Sequence, residues 1–142
     1  DIIEASRSAV RKTTADGIVA AAREIAETTD IKAICCFSQT GNTVALVARE
    51  RPRVPILGLT PLISTARRMC LTWGTTCVVT GEQDRFKGAV IAAVRAALKY
   101  GFATEKDHIV LTAGVPFNVQ GTTNILRIAP CDERLIYKAD PE

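Results

Sequence analysis

Residues 33–50 read AICCFSQTGNTVALVARE, and the order in which their character changes decides the fold. Ala33 to Phe37 is a short unbroken apolar run, the pattern of a strand buried on both faces. Ser38 to Gly41 interrupts it with turn chemistry. From Thr43 to Glu50 the apolar residues Val44, Val47 and Ala48 fall at helical spacing on one face. A strand passed directly to a helix is the unit of a parallel sheet, because parallel neighbours need a crossover long enough to hold a helix.

The same unit recurs on either side. Upstream, Ala15 to Glu27 is predicted as a helix, capped by Thr13 or Thr14, with Ile18, Val19, Ala22, Ile25 and Ala26 on one face. Downstream, Pro52 and Pro55 bracket a change of element, and Ile56 to Leu59 is the next strand. Thr60-Pro61 reads as a helix start, with Thr60 as N-cap and Pro61 at the first helical position. That helix is expected to reach about Leu71 and to end at Trp73-Gly74. Cys77 to Val79 is a third strand, Arg85 to Tyr100 a long alanine-rich helix stopped by Gly101, and His108 to Thr112 a fourth strand. A polar, glycine-rich segment then leads to a fifth strand, Asn124 to Ala129. The alternation predicts an α/β fold with helices on both faces of the sheet. About eleven residues without helical pattern separate the last two strands, too few for a parallel crossover, so the fifth is expected antiparallel at an edge. Residues 1–12 read as an extension or linker helix, 13–130 as the domain, and 131–142 as a tail.

Composition narrows the function classes. The chain has 142 residues, 47% of them hydrophobic, enough for one domain with a proper core. Lys and Arg number 18 against 15 Asp and Glu, a net charge of +3, and the basic residues are scattered, so nucleic acid is not expected as a partner. No apolar run is long enough for a membrane span, and no signal segment opens the chain. It begins at Asp1, which suggests a processed product or a piece of a longer protein. The five cysteines include the adjacent Cys35 and Cys36, while Cys70, Cys77 and Cys131 stand apart. With no C-x-x-C and His108 as the single histidine, zinc and a disulfide framework are poorly supported. Cysteines in apolar strands act as small hydrophobes, and a reducing, cytoplasmic setting follows. His108 reads as a surface or capping residue, Trp73 as helix-end packing, and at least one of Arg67 and Arg68 as facing solvent.

Chemistry concentrates in Ser38-Gln39-Thr40-Gly41-Asn42-Thr43. Ligands bind at the carboxyl ends of strands in such sheets. Ser38, Thr40 and Thr43 offer hydroxyls, Gly41 permits close backbone approach, and the start of the following helix offers bare N–H groups. The set suits a phosphate. The same residues also read as helix caps, and they lack the lysine and spacing of a nucleotide-binding G-x-x-x-x-G-K-[ST] loop.

Residues 32–74, KAICCFSQTGNTVALVARERPRVPILGLTPLISTARRMCLTWG, and 107–128, DHIVLTAGVPFNVQGTTNILRI, resemble the C-terminal domain of pyruvate kinase. The likeness covers residues 13 to 129. It rests on the strand–loop–helix start, the A-R-x-x-P-x-x-P-I spacing from Ala48 to Ile56, and G-T-T-N before the last strand. The resemblance implies a three-layer α/β/α sandwich on a five-stranded sheet, mostly parallel with the last strand antiparallel. It implies that phosphoryl transfer from phosphoenolpyruvate to ADP, with magnesium and potassium, belongs to a separate barrel, so that this domain carries no catalytic residue or cofactor of its own. It also implies an effector pocket made by Ser38 to Thr43 together with a second loop at Val119, Gln120, Gly121 and Thr122. A homo-oligomer is implied too, a dimer through Asn124, Ile125, Leu126, Arg127 and Ile128 and a tetramer in the full enzyme. An edge strand left bare argues the same way, since proteins rarely leave one uncovered.

Two departures bear on the effector. Members activated by fructose 1,6-bisphosphate place a basic residue in the first loop, where this chain has Gln39 and Asn42. They also carry Trp and Arg in a longer segment after the third strand, where this chain has the short stretch Thr80 to Phe86. A sugar phosphate or nucleoside monophosphate, such as ribose 5-phosphate or AMP, is therefore expected rather than a bisphosphate, and no effector at all stays open. Two other functions compete: a free-standing phosphometabolite-binding domain, and a phosphosugar isomerase, whose S-Q-S-G-x-T-like loop Ser38 to Thr43 also matches. The isomerase needs a base beside the sugar, and Glu50 and Glu82 are the acidic candidates.

Overall fold

The computed structural model describes residues 13–83, 85–114 and 123–139. Its elements are α1 (Thr14–Thr28), β1 (Ile31–Phe37), α2 (Asn42–Arg49), β2 (Ile56–Thr60), α3 (Ile63–Met69), β3 (Thr75–Val79), α4 (Phe86–Lys99), β4 (His108–Ala113), β5 (Ile125–Pro130) and α5 (Glu133–Ala139). The five strands form one sheet in the order β3-β2-β1-β4-β5. β1 runs parallel to β2 and to β4, and β2 parallel to β3. β5 returns antiparallel along β4, with Val110 opposite Ile128. This is the mixed five-stranded architecture expected from the sequence.

Strand pleating divides the core into two layers. From β1, Ala33, Cys35 and Phe37 join Leu57, Leu59, Ile109 and Leu111 beneath the alanine-rich face of α4 and Ile136 of α5. Ile34 and Cys36 face the other way, with Ile56 and Val110, against Val19, Ala22 and Ala26 of α1, Val44 and Val47 of α2, and Met69 of α3. The run AICCF is apolar throughout because both of its faces are covered. Burial pushes the Cys35 thiol well above the ordinary range and Cys36 up to about 12, so both behave as apolar packing groups.

Local signals explain most boundaries. Thr13 caps α1: its hydroxyl accepts from the Asp16 amide at 3.2 Å, and the Asp16 carboxylate accepts from the Thr13 amide at 3.0 Å. This is the reciprocal capping box. Thr60 behaves differently from the expectation. It stays in β2, paired with Val79 and accepting from the Thr80 amide at 2.9 Å. Its hydroxyl takes the Leu62 amide at 3.2 Å, and α3 starts only at Ile63. Strand pairing to β3 outweighs the cap signal. The stretch after β5, read as a tail, carries α5, whose Ile136 is fully buried. His108 stands exposed where β4 begins, and Arg67 and Arg68 are both exposed on α3. Among the described residues no helix is long and apolar enough to cross a membrane.

Candidate functional site

The chain moves from β1 outward through β2 to β3, then crosses back to place β4 on the other side of β1. The switch point therefore lies at the carboxyl ends of β1 and β4, where α/β sheets open a crevice for ligands. Two loops border it: Ser38 to Gly41, and the connection from β4 to β5. Of the second loop, Val119, Gln120, Gly121 and Thr122 lie outside the described residues. Thr123, which follows them, is buried and joins this connection to the first turn of α2, its hydroxyl 2.5 Å from that of Thr43.

The first loop is largely occupied with its own backbone. The Gly41 amide donates to Ser38 Oγ at 2.9 Å and the Asn42 amide to Thr40 Oγ1 at 3.2 Å. These are two of the N–H groups expected to face an anion, so the amide cradle read from the sequence is half closed by the loop's own hydroxyls. Ser38 and Thr43 are buried, whereas Thr40 and Asn42 are exposed and Gln39 half-buried. A hydroxyl that accepts one bond still has its proton to donate, so Ser38 and Thr40 keep that capacity. Gly41 also has a task within the fold. Its φ is +85°, the left-handed region, and a Cβ there would stand 3.1 Å from Met69 Cγ. The close approach it permits is that of the protein's own methionine.

Sequence reading placed α3 but not its contact with this loop. Thr65 of α3 donates its hydroxyl proton to the Gln39 carbonyl at 2.7 Å, and Arg68 donates from Nη2 to Thr65 Oγ1 at 3.2 Å. An Arg guanidinium thus stands one side chain from a loop that has no basic residue of its own. The spacing Thr65–Arg68–Met69 would have shown that these three share a face of α3, but nothing in the sequence said which loop that face meets.

Of the residues expected at a subunit interface, Ile125 to Ile128 lie on β5, an outer strand of the sheet, and Asn124 immediately precedes it. Ile125, Leu126 and Arg127 are half-buried, Asn124 is exposed, and Ile128 is 41% exposed. Asn124 is tied back to β4 through its amide on the Ala113 carbonyl at 3.1 Å, and Arg127 donates from Nη1 to the Ile128 carbonyl.

Glu50 caps the far end of α2, about 12 Å along the helix axis. Glu82 follows β3, two strands from β1 and so about 10 Å across the sheet.

The family described as "Pyruvate kinase, alpha/beta domain" matches residues 16–129. The pyruvate kinase of Methylorubrum extorquens is 37% identical over 128 residues, covering 90% of this chain and 27% of that protein. An Agrobacterium vitis pyruvate kinase is 35% identical over 127 residues, with 89% and 27% covered. The chain thus spans about a quarter of the length of these relatives. The crystal structure of Cryptosporidium parvum pyruvate kinase in complex with ADP superimposes with a TM-score of 0.81 over 92% of this chain and 26% of that one, at 24% identity, a likeness of fold. On the family match and these relatives, the chain belongs to the pyruvate kinase α/β-domain family.

Proposed function

We propose that this chain is the C-terminal regulatory and oligomerisation domain of a pyruvate kinase, working in the cytoplasm, and that by itself it turns over no substrate. Phosphoryl transfer from phosphoenolpyruvate to ADP falls to a barrel outside these residues. The magnesium and potassium of that reaction are assigned to the same barrel.

The observation that carries the assembly role is β5, one of the two outer strands of the sheet, which leaves Ile128 exposed. Antiparallel pairing with its copy across a two-fold axis gives the backbone groups of this strand partners. Light scattering at tens of micromolar should read a dimer. Ile128→Lys, which sets a charge on the paired edge, should read a monomer with an unchanged unfolding midpoint. A monomeric wild type, or a variant that stays dimeric, overturns the reading.

The regulatory role takes a sugar phosphate or nucleoside monophosphate at the Ser38–Thr43 loop. Support comes from the remaining hydroxyl protons of Ser38 and Thr40 and from Arg68, which supplies the positive charge that Gln39 and Asn42 do not. A charge-assisted bond contributes about 1.5–3 kcal/mol, so Arg68→Gln should weaken ribose 5-phosphate or AMP tenfold or more by calorimetry. Thr40→Ala should weaken it less. Absence of heat with either ligand at millimolar concentration, or no change in Arg68→Gln, removes the effector site and leaves assembly as the function.

A further inference from the structure

Three of the five cysteines are sealed in the core: Cys35, Cys36 and Cys131 are buried. The other two are not. Cys70 closes α3 and is exposed, and Cys77, at the centre of β3, is half-buried. Six residues separate them in sequence, with no motif to link them, yet the fold turns the chain back on itself. The Leu71 amide bonds to the Arg68 carbonyl, Thr72 to Met69 and Thr75 to Thr72, at 3.2, 2.9 and 3.3 Å. Gly74, at φ +66°, makes the last bend, and its carbonyl is pinned by the Ile56 amide at 3.1 Å.

Pleating then decides which way Cys77 faces. Val78 packs into the layer beneath α4, so its neighbour Cys77 faces the opposite layer, the one that holds Met69. Cys77 lies beside Gly58 in the β2–β3 pairing, and Met69 Sδ sits 2.9 Å from where a Gly58 Cβ would be. Met69 therefore covers the residue next to Cys77, and Cys70 is the residue immediately after Met69. The thiols interact: burial first, then hydrogen bonding and charge interaction with the Cys70 thiol, push Cys77 up to about 12.

We propose that Cys70 and Cys77 are a thiol-oxidation site that closes to a reversible disulfide on exposure to hydrogen peroxide. Cys70, the solvent-facing partner, reacts first. Its thiolate Sγ attacks one peroxide oxygen, the O–O bond breaks, and the departing hydroxide takes a proton to become water, leaving a sulfenic acid. Cys77 then gives up its proton and its Sγ attacks Cys70 Sγ. The S–O bond breaks and a second water leaves. The two sulfurs lose two electrons in all and peroxide gains them. A small dithiol restores both thiols by exchange. The bond staples the end of α3 to β3, and α3 is the helix that holds Gln39 through Thr65 and Gly41 through Met69.

Both cysteines lie in one tryptic peptide, residues 69–85, which gives a direct test. The folded chain is treated with stoichiometric hydrogen peroxide, alkylated with iodoacetamide, digested and weighed. Peptide 69–85 is expected lighter by two hydrogens and unalkylated, and a dithiol before alkylation should return it to the doubly alkylated form. Cys70→Ser and Cys77→Ser should each lose the bridged species, and Cys77→Ser should leave a Cys70 sulfenic acid that dimedone traps. Recovery of the peptide with both thiols alkylated, with oxygen on Cys70 and Cys77 still alkylated, or with its cysteines bridged to other peptides overturns the proposal.

Discussion

Gly41 shows how much a single residue's backbone can ask of its neighbours. A glycine between hydroxyl residues suggested room for a ligand, whereas it sits at φ +85° against Met69. Forcing a side chain into that backbone region costs about 1–3 kcal/mol, so Gly41→Ala should lower the unfolding free energy from a urea titration by that amount, and the loop should loosen before the fold does. Asp107 is a second case. Its carboxylate accepts from the Thr104 amide at 2.7 Å and from the Thr104 hydroxyl at 3.0 Å, and the amide bond above all holds its pKa below the usual carboxylate range. A depressed folded pKa contributes stability that is present above the unfolded value, about 3.9 for aspartate, and is lost as pH falls through the folded one. Thermal midpoints measured downward from pH 5 should therefore fall less steeply in Asp107→Asn than in the wild type.

At the scale of elements, the helices and strands were readable wherever periodicity or capping spoke alone. α1 begins at Thr13 because the capping box with Asp16 is written locally, and Thr13→Ala should cost about 1 kcal/mol in chemical denaturation. β5 was readable as antiparallel from the short connection before it. The start of α3 was not readable, because Thr60 carries a cap signal and a strand pairing at once, and the pairing is with a segment far along the chain. α5 escaped notice for a related reason: among its residues of described burial, Ile136 is the one fully buried, and one apolar contact makes no periodic pattern. α3 matters most for the loop, since it reaches Gln39 and Gly41 with two side chains. Met69 is 2% exposed. Met69→Ala should cost about 2–5 kcal/mol in a urea titration, the range for emptying a buried methionine site. It should also speed amide exchange at Asn42.

For the whole molecule, the fold class and the family were legible, whereas the strand order that sets the switch point at the ends of β1 and β4 came only with the structure. What the loop does with its own hydroxyls was not legible. Ser38 and Thr40 spend an acceptor on local amides, a choice set by turn geometry rather than by residue type. The nearness of Cys70 to Cys77, and of Arg68 to the loop, likewise depends on how α3 lies across β2 and β3.

The hydroxyl pair of Thr43 and Thr123 joins positions eighty residues apart. Such a contact forms only after the intervening chain has collapsed and β5 has docked, so it belongs to the late, slow part of folding. A molecule lodged there would recognise the finished domain and nothing earlier. By mass action it would raise the melting temperature in step with its concentration, which makes a thermal-shift screen of metabolites a way to find it without knowing its identity.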